Sequence, residues 1–278
     1  MKPLIVDGPY LAHRSYHAPY RLYTTTGLDA TMLHSFIRTM NALRKKYQPE
    51  KFIVAWESHG TLSWRKELCP SYKSQIHRMT SVFWNNIKDV QLFLFLLGVE
   101  QYYAPSNEAD DVIATLVNNG YKQSLIFTVD KDIMQLVTHE CKLCNLKDII
   151  GPNDVKKKFN VTPKQIPDLL AIWGDKADNI EGVNGYGVHK ASRLIDKYGC
   201  VENIDPDNTV SKYRQRMDLN KKLTTLNKQC TLLPIPNKDF KTDETIDSLL
   251  DKYELKKMRE NISEIKLIGK GGIDEWIS

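Results

Sequence analysis

Ser124-Leu125-Ile126-Phe127-Thr128-Val129 is a continuous apolar run that ends on Asp130. Leu4-Ile5-Val6 ends the same way on Asp7-Gly8, and Lys51-Phe52-Ile53-Val54-Ala55-Trp56 ends on Glu57. Hydrophobicity that is unbroken rather than alternating marks strands buried on both faces, as in a parallel sheet. Helical periodicity separates the runs. Thr31 to Tyr47 carries apolar residues at Met32, Leu33, Phe36, Ile37, Met40 and Leu43, and further helices are predicted over Val82 to Leu97 and Asp110 to Asn118. This alternation predicts an α/β fold, with a mostly parallel sheet, flanking helices and right-handed crossovers. In such sheets ligands bind beyond the carboxyl ends of the strands. Asp7, Glu57 and Asp130 fall there.

These three belong to a set of nine acids in tight groups: Asp7, Glu57, Glu108, Asp110, Asp111, Asp130, Asp132, Asp175 and Asp178. Crowded carboxylates repel and raise one another's pKa. A fold that gathers so many needs divalent cations, which points to Mg²⁺ or Mn²⁺ acting on phosphate. Acids in a first helical turn also have a simpler explanation in the helix dipole. Three acids within Glu108-Ala109-Asp110-Asp111 exceed what capping needs.

With 278 residues, the chain has room for one large domain or two modest ones. A composition of 41% hydrophobic and 26% charged residues excludes global disorder. The net charge of +5 hints at a polyanionic partner, more so because the acids are bunched and leave the remaining surface basic. Five scattered cysteines read as reduced thiols of a cytoplasmic protein. Cys141-Lys-Leu-Cys144 has the spacing of half a zinc site but no second half. It lies in a strand-like stretch, where residues three apart face opposite sides. The N-terminus lacks the form of a signal peptide, and the greasiest stretch, Val90 to Val99, is too short to span a bilayer. A soluble protein with no membrane association is expected.

Gly151-Pro152 interrupts the pattern, and a mostly helical region follows, so a domain boundary is expected between about 150 and 165. Gly182-Val-Asn-Gly185-Tyr-Gly187 precedes a helical pattern over Lys190 to Tyr198. A glycine-rich turn opening a helix exposes backbone N–H groups that suit a phosphate. Between Thr209 and Lys228 lie Lys212, Arg214, Arg216, Lys221, Lys222 and Lys228 against one acid, Asp218. Such a run is either a solvated helix face or a basic stripe along a DNA path.

Several blocks, in order, carry a resemblance. They are Val6-Asp7-Gly8 with Arg14-Ser-Tyr-His-Ala18, Trp64-Arg65-Lys66-Glu67-Leu68 with Tyr72-Lys73, and Glu108-Ala-Asp-Asp111 with Val112-Ile113-Ala114. Thr128-Val-Asp-Lys-Asp132 with Gln135-Leu136-Val137, Gly174-Asp-Lys-Ala-Asp-Asn-Ile180 and the 182–187 glycines complete them. The chain resembles the 5′-nuclease superfamily: bacteriophage flap endonucleases and the 5′–3′ exonuclease domain of bacterial DNA polymerase I. The match is collinear from Ile5 to about Tyr198.

The resemblance implies a PIN-like nuclease core over 1–160 with a helical arch at about 68–95. It implies a helical DNA-binding module over 161–278, with a helix-three-turn-helix at about 165–200. Asp7, Glu57, Glu108 and Asp110 would hold one Mg²⁺, and Asp130, Asp132, Asp175 and Asp178 a second, with Asp111 near both. Mn²⁺ would substitute, and K⁺ is implied at the helix-three-turn-helix. Lys73 and Arg78 would act on the scissile phosphate. Tyr72, Gly182, Gly185, Gly187, His189 and Lys190 would contact DNA. The sequence departs from the family pattern in four places. Glu57 stands for the usual Asp, Val129 for a common Gly, and Ile76 for the arch arginine, with Arg78 two residues on. His189 replaces a lysine and is mostly uncharged at neutral pH.

The implied reaction cuts DNA, and RNA primers in RNA/DNA hybrids, from the 5′ side near single-strand/duplex junctions, in replication or repair. It leaves a 5′-phosphate and a 3′-hydroxyl. With no polymerase domain following, a free-standing monomer of bacteriophage or bacterial type is expected. Three other readings fit part of the pattern: a structure-specific DNA-binding protein with a decayed site, a PIN-type ribonuclease, and a small-molecule phosphatase. The second and third would leave the glycine-rich module without a use.

Overall fold

The structure, a computed structural model, describes residues 2–58, 61–75, 79–236, 240 and 244–269. The first part alternates strands and helices: β1 (Leu4–Asp7), α1 (Gly8–Tyr16), α2 (Thr31–Tyr47), β2 (Phe52–Ala55), α3 (Trp64–Leu68), α4 (Ser81–Leu96), β3 (Glu100–Tyr103), α5 (Ala109–Asn118), β4 (Leu125–Phe127), β5 (Lys142–Cys144) and β6 (Ile149–Ile150). β1 lies between β2 and β4, with β3 beyond β2 and β5 beyond β4, all parallel. Winding runs from β1 toward β3, then restarts on the other side of β1 at β4. That reversal opens a crevice at the carboxyl ends of β1 and β4, and Asp7 and Asp130 flank it.

The unbroken apolar runs are buried on both sheet faces. Ile5, Ile53, Ile126 and Leu143 enter one core with α5 residues Val112 and Ile113. Leu4, Val6, Phe52, Val54 and Phe127 enter the other with α2 and α4. Cys141 and Cys144 fall in opposite cores, as the strand spacing requires. The helix read over Thr31 to Tyr47 has those bounds, and its periodic residues Met32, Leu33, Phe36, Ile37, Met40 and Leu43 are all buried.

The arch expected over about 68–95 is corrected in its second half. α4 is a core helix packed on α2 and β3, burying Phe83, Ile87, Val90 and Leu92–Leu94. Phe83, Ile87, Val90 and Leu94 recur at helical spacing, and that apolar face seeks the interior. Arg78, with Ile76 and His77, lies outside the described residues.

The helical part comprises α6 (Pro152–Phe159), α7 (Ile166–Trp173), a hairpin of β7 (Gly174–Asp175) and β8 (Ile180–Glu181), α8 (Val188–Tyr198) and α9 (Arg214–Thr224). The chain then returns. β9 (Leu233–Pro234) adds an antiparallel edge to β3. α10 (Ile246–Lys252), α11 (Lys256–Glu260) and α12 (Ile262–Lys266) follow. They bury Leu249, Leu250, Tyr253, Met258 and Ile265 in the α2/α4 core. β9 and α10–α12, which fall within the expected 161–278 module, thus also pack against the sheet part. No helix among the described residues is long and apolar enough to cross a membrane.

Candidate active site

The carboxyl ends of the strands deliver the first acids. Asp7 closes β1 and caps α1. Its Oδ1 accepts the Tyr10 N–H at 3.0 Å and its Oδ2 the Thr128 hydroxyl at 2.8 Å. Burial pushes its carboxyl up to about 6, against those hydrogen bonds and with help from the charges of Asp130 and Glu57. Glu57, just past β2, is raised by burial and by Glu108. The first turn of α5 supplies Glu108 and Asp110. Asp110 is held well above the carboxylate range by burial, then by Asp130, Asp7 and Glu108.

The remaining acids join the same field. An Asp130 oxygen accepts the Asp132 N–H at 2.8 Å. Asp132 is pushed well up by burial, then by Asp130, Asp175 and Asp178. Asp178 is raised by burial and by Asp175 and Glu108. Each acid feels at least one other, so Asp7, Glu57, Glu108, Asp110, Asp130, Asp132, Asp175 and Asp178 form one anionic bowl across the sheet edge and the β7–β8 hairpin.

Asp132, Asp175 and Asp178 each place an oxygen within 4.8 Å of the other two. Asp132 Oδ1 is buried with no hydrogen-bond partner among the described residues. A buried acceptor left unsatisfied costs about 1–3 kcal/mol, more when charged. An all-oxygen set with an orphaned lone pair fits a hard divalent cation. Among the described residues no other three acids close to that spacing.

The protein's own cations hold other parts of the bowl. Lys73 Nζ donates to Glu108 Oε2 at 2.8 Å and lies 3.8 Å from Asp178 Oδ2. Burial would lower its pKa, but Glu108, Tyr72, Asp178 and Asp110 outweigh that and raise it well above the usual lysine value. Its backbone is left-handed (φ 50°), and its N–H donates to Asp178 O at 2.9 Å. Strain of this kind persists only where surroundings over-determine it. Lys131 Nζ donates to Asp175 Oδ2 at 2.5 Å. Tyr72 corrects the expectation of a DNA contact. It is 2% exposed, and its hydroxyl sits 3.0 Å from Glu108 Oε2 and 2.9 Å from Asp178 Oδ2. Its ring is closed to a stacking base, and it braces two acids instead.

Asp111 is the second correction. Fully buried, its two oxygens face Arg65 Nη2 and Nη1 at 2.8 and 2.6 Å, the Asn227 N–H at 2.9 Å and the Trp64 indole N–H at 3.2 Å. Such a fork-to-fork pair leaves little room for an ion. Asp111 therefore anchors α3 to α5 rather than lining both metal positions. Sequence reading missed Arg65, Thr128, Lys131 and Gln135 in these supporting roles. All four sit inside the quoted motifs, and for Thr128 and Gln135 a polar residue between apolar neighbours was the available signal.

The glycine-rich turn divides. A Cβ on Gly182 would stand 2.2 Å from Trp173 O, and one on Gly174 (φ +80°) 2.4 Å from Gly182 N. These two glycines let the hairpin carrying Asp175 close, so Gly182 is a packing residue, not an open phosphate cradle. Gly185, Gly187, His189 and Lys190 are exposed, with Gly187 capping α8. The basic run also divides. Arg214 donates to Val201 and Ile204 carbonyls, Arg216 pairs with Glu181, and Lys221 pairs with Asp168 and Glu202. Lys212, Lys222 and Lys228 are exposed.

With this geometry in place, the comparisons agree. Residues 2–160 match the model of the 5′-3′ exonuclease N-terminal resolvase-like domain, and residues 161–261 match its C-terminal SAM fold. The chain belongs to the 5′-3′ exonuclease family. It is 31% identical to a 5′-3′ exonuclease of Mycoplasmopsis pulmonis over 91% of each chain. It is 35% identical to one of Aquifex aeolicus over 73% of this chain and 72% of that one. The family makes it a 5′ nuclease, as the motif order implied. Its fold matches the bacteriophage T5 flap endonuclease, solved as a pseudo-enzyme-product complex with DNA and metal ions. That match has a TM-score of 0.68 at 22% identity and covers 96% of this chain and 100% of that one.

Proposed function

We propose that this 5′ nuclease hydrolyses DNA phosphodiesters at single-strand/duplex junctions, using two Mg²⁺ or Mn²⁺ ions in the acid bowl and leaving a 5′-phosphate and a 3′-hydroxyl. RNA primers on DNA are a second substrate of the same site, in replication or repair. The observation that carries this reading is the buried Asp132 oxygen, unpartnered among the described residues and grouped with Asp175 and Asp178 inside a wider field of acids. The T5 relative's complex with DNA and metal ions supports it.

Bound divalent ions supply a hydroxide at neutral pH and charge stabilisation on the phosphoryl oxygens. Asp7, Glu57, Glu108 and Asp110 would hold one such ion, and Asp130, Asp132, Asp175 and Asp178 the other. Lys73 stays protonated in this field. Its ammonium offers fixed positive charge where negative charge develops on the phosphate. Tyr72 and the backbone N–H of Lys73 fix Asp178 and Glu108 before substrate arrives. The exposed Gly185, Gly187 and Lys190 would receive a duplex phosphate at the amino end of α8.

The test is end-labelled 5′-flap DNA, with and without Mg²⁺, beside a plain RNA strand. Mg²⁺-dependent cutting of the flap with a 5′-phosphate product is expected. Equal cutting without divalent ions, or preference for the RNA strand, would overturn the reading.

A further inference from the structure

Three of the metal-ligand loops are tied to one short piece of chain, Asn220–Asn227, which spans the carboxyl end of α9 and the residues just after it. From the α3 side, Arg65 Nε donates to Leu223 O at 2.7 Å while its fork grips Asp111, three residues after Glu108. Asp111 Oδ1 accepts the Asn227 N–H at 2.9 Å. From the sheet side, Gln135 is 8% exposed, and its amide nitrogen donates to Asp132 O at 2.8 Å and to Thr224 O at 2.9 Å. Its amide oxygen accepts the Leu226 N–H at 3.1 Å. From the helical side, Asn220 Nδ2 donates to Ala171 O at 3.0 Å and Glu181 O at 2.9 Å, on either side of the Asp175–Asp178 hairpin.

The side chains of Arg65, Asp111, Gln135 and Asn220 are buried, so none can exchange its partner for water without cost. Arg65 and Gln135 lie far apart in sequence, on α3 and after β4, yet both close onto this stretch, and Asn220 reaches out from it to the hairpin. Packing alone would not select hydrogen bonds to four backbone groups within five residues, at Leu223, Thr224, Leu226 and Asn227. We propose that Asn220–Asn227 is the positioning element that registers the Glu108, Asp132 and Asp175–Asp178 loops, and that Gln135 is the positioning residue for Asp132. This rests on the acid bowl being a divalent-cation site. Helical-module movement reaches the acids through this piece, so duplex engagement and cation affinity are coupled.

The test uses the full chain and Mn²⁺ as the probe. In Gln135→Met, a residue of similar length that cannot hydrogen-bond, calorimetric Mn²⁺ affinity without DNA should fall about tenfold, the usual effect of removing a partner behind a ligand. The Mn²⁺ concentration for half-maximal flap cleavage should shift by the same factor. Saturating Mn²⁺ should restore the single-turnover rate, and DNA affinity in metal-free buffer should stay within about twofold of wild type. Asn220→Ser, on α9 and away from every acid, should shift Mn²⁺ affinity in the same direction and decides the matter if Gln135→Met does not fold. A lowered melting temperature with wild-type Mn²⁺ affinity would make these contacts merely structural and overturn the proposal. A wild-type protein that binds Mn²⁺ but does not cut flap DNA would instead sink the functional reading and leave this one standing.

Discussion

The two halves of the bowl are built differently. Asp7, Glu57, Glu108 and Asp110 stand at the carboxyl ends of β1 and β2 and at the start of α5. Among the described residues, though, no three of them bring oxygens within 4.8 Å. Asp132, Asp175 and Asp178 come from the sheet edge and a two-residue hairpin, and they do reach that spacing. Protein cations reach both halves: Lys73 Nζ sits 2.8 Å from Glu108 and 3.8 Å from Asp178, and Lys131 pairs with Asp175. Among the described residues, however, the only buried carboxylate oxygen without a hydrogen-bond partner is Asp132 Oδ1, on the second half. A sheet scaffold does not by itself give a closed ligand set.

Mutations on the first half should cost most. Asp110→Asn or Asp7→Ala should lower flap cleavage on the order of a thousandfold or more, the scale of a lost phosphoryl clamp of several kcal/mol. Circular dichroism and DNA affinity should be near wild type, and cutting within tenfold of wild type would remove these residues from the site. Lys73→Ala should lower the single-turnover rate about a hundredfold with little change in DNA affinity. An unchanged rate would reduce Lys73 to a spacer between Glu108 and Asp178. Asp175→Asn on the second half should cost about tenfold at low Mg²⁺ and recover at high Mg²⁺.

Neighbouring acids sharpen the contrast further. In metal-free protein, Asp110→Asn should raise the melting temperature, because a neutral amide escapes the penalty that burial, Asp130 and Asp7 place on ionising that carboxyl. Asp111→Asn should lower stability by about 3–5 kcal/mol, because it breaks a buried pair and strands Arg65. Equal effects of the two would erase the distinction drawn between them.

The smallest expected effect is on pH. Asp7 titrates at about 6 when folded, above its ordinary 3.8. The folded chain therefore binds more protons than the unfolded one across that window, and its stability falls as pH rises from about 4 to 6. Chemical denaturation of metal-free protein at pH 4.5 and 6.5 should show the loss, and saturating Mg²⁺ should offset it at the higher pH. Stability that rises across that range would contradict the crowding of Asp7.

Much of this was legible in the chain. Unbroken apolar runs ending on acids placed β1, β2 and β4 and the bowl's sheet side, and the i, i+3, i+4 pattern gave α2 to the residue. The order of the motifs gave the family. Other features depend on partners remote in sequence. Asp110 and Asp111 look alike in the sequence, yet a 100° turn of α5 sends one to the bowl and the other to Arg65, 46 residues earlier. Tyr72 carries no mark of burial until Glu108 and Asp178 close over its hydroxyl. The basic run looked like one stripe because Glu181, Asp168 and Glu202, which pair with part of it, come before it in the chain. The return of β9 and α10–α12 to the sheet domain had no local signal, since edge pairing and a shared core are long-range choices.

The claim beneath all of this is that the bowl exists to hold divalent cations, and counting Mn²⁺ bound to the full-length chain by calorimetry near neutral pH tests it most directly. The account predicts saturable binding without DNA that Asp132→Asn weakens at least tenfold, as expected when a ligand is lost, with a further ion taken up when 5′-flap DNA is added. No saturable binding, or binding indifferent to Asp132, would contradict it.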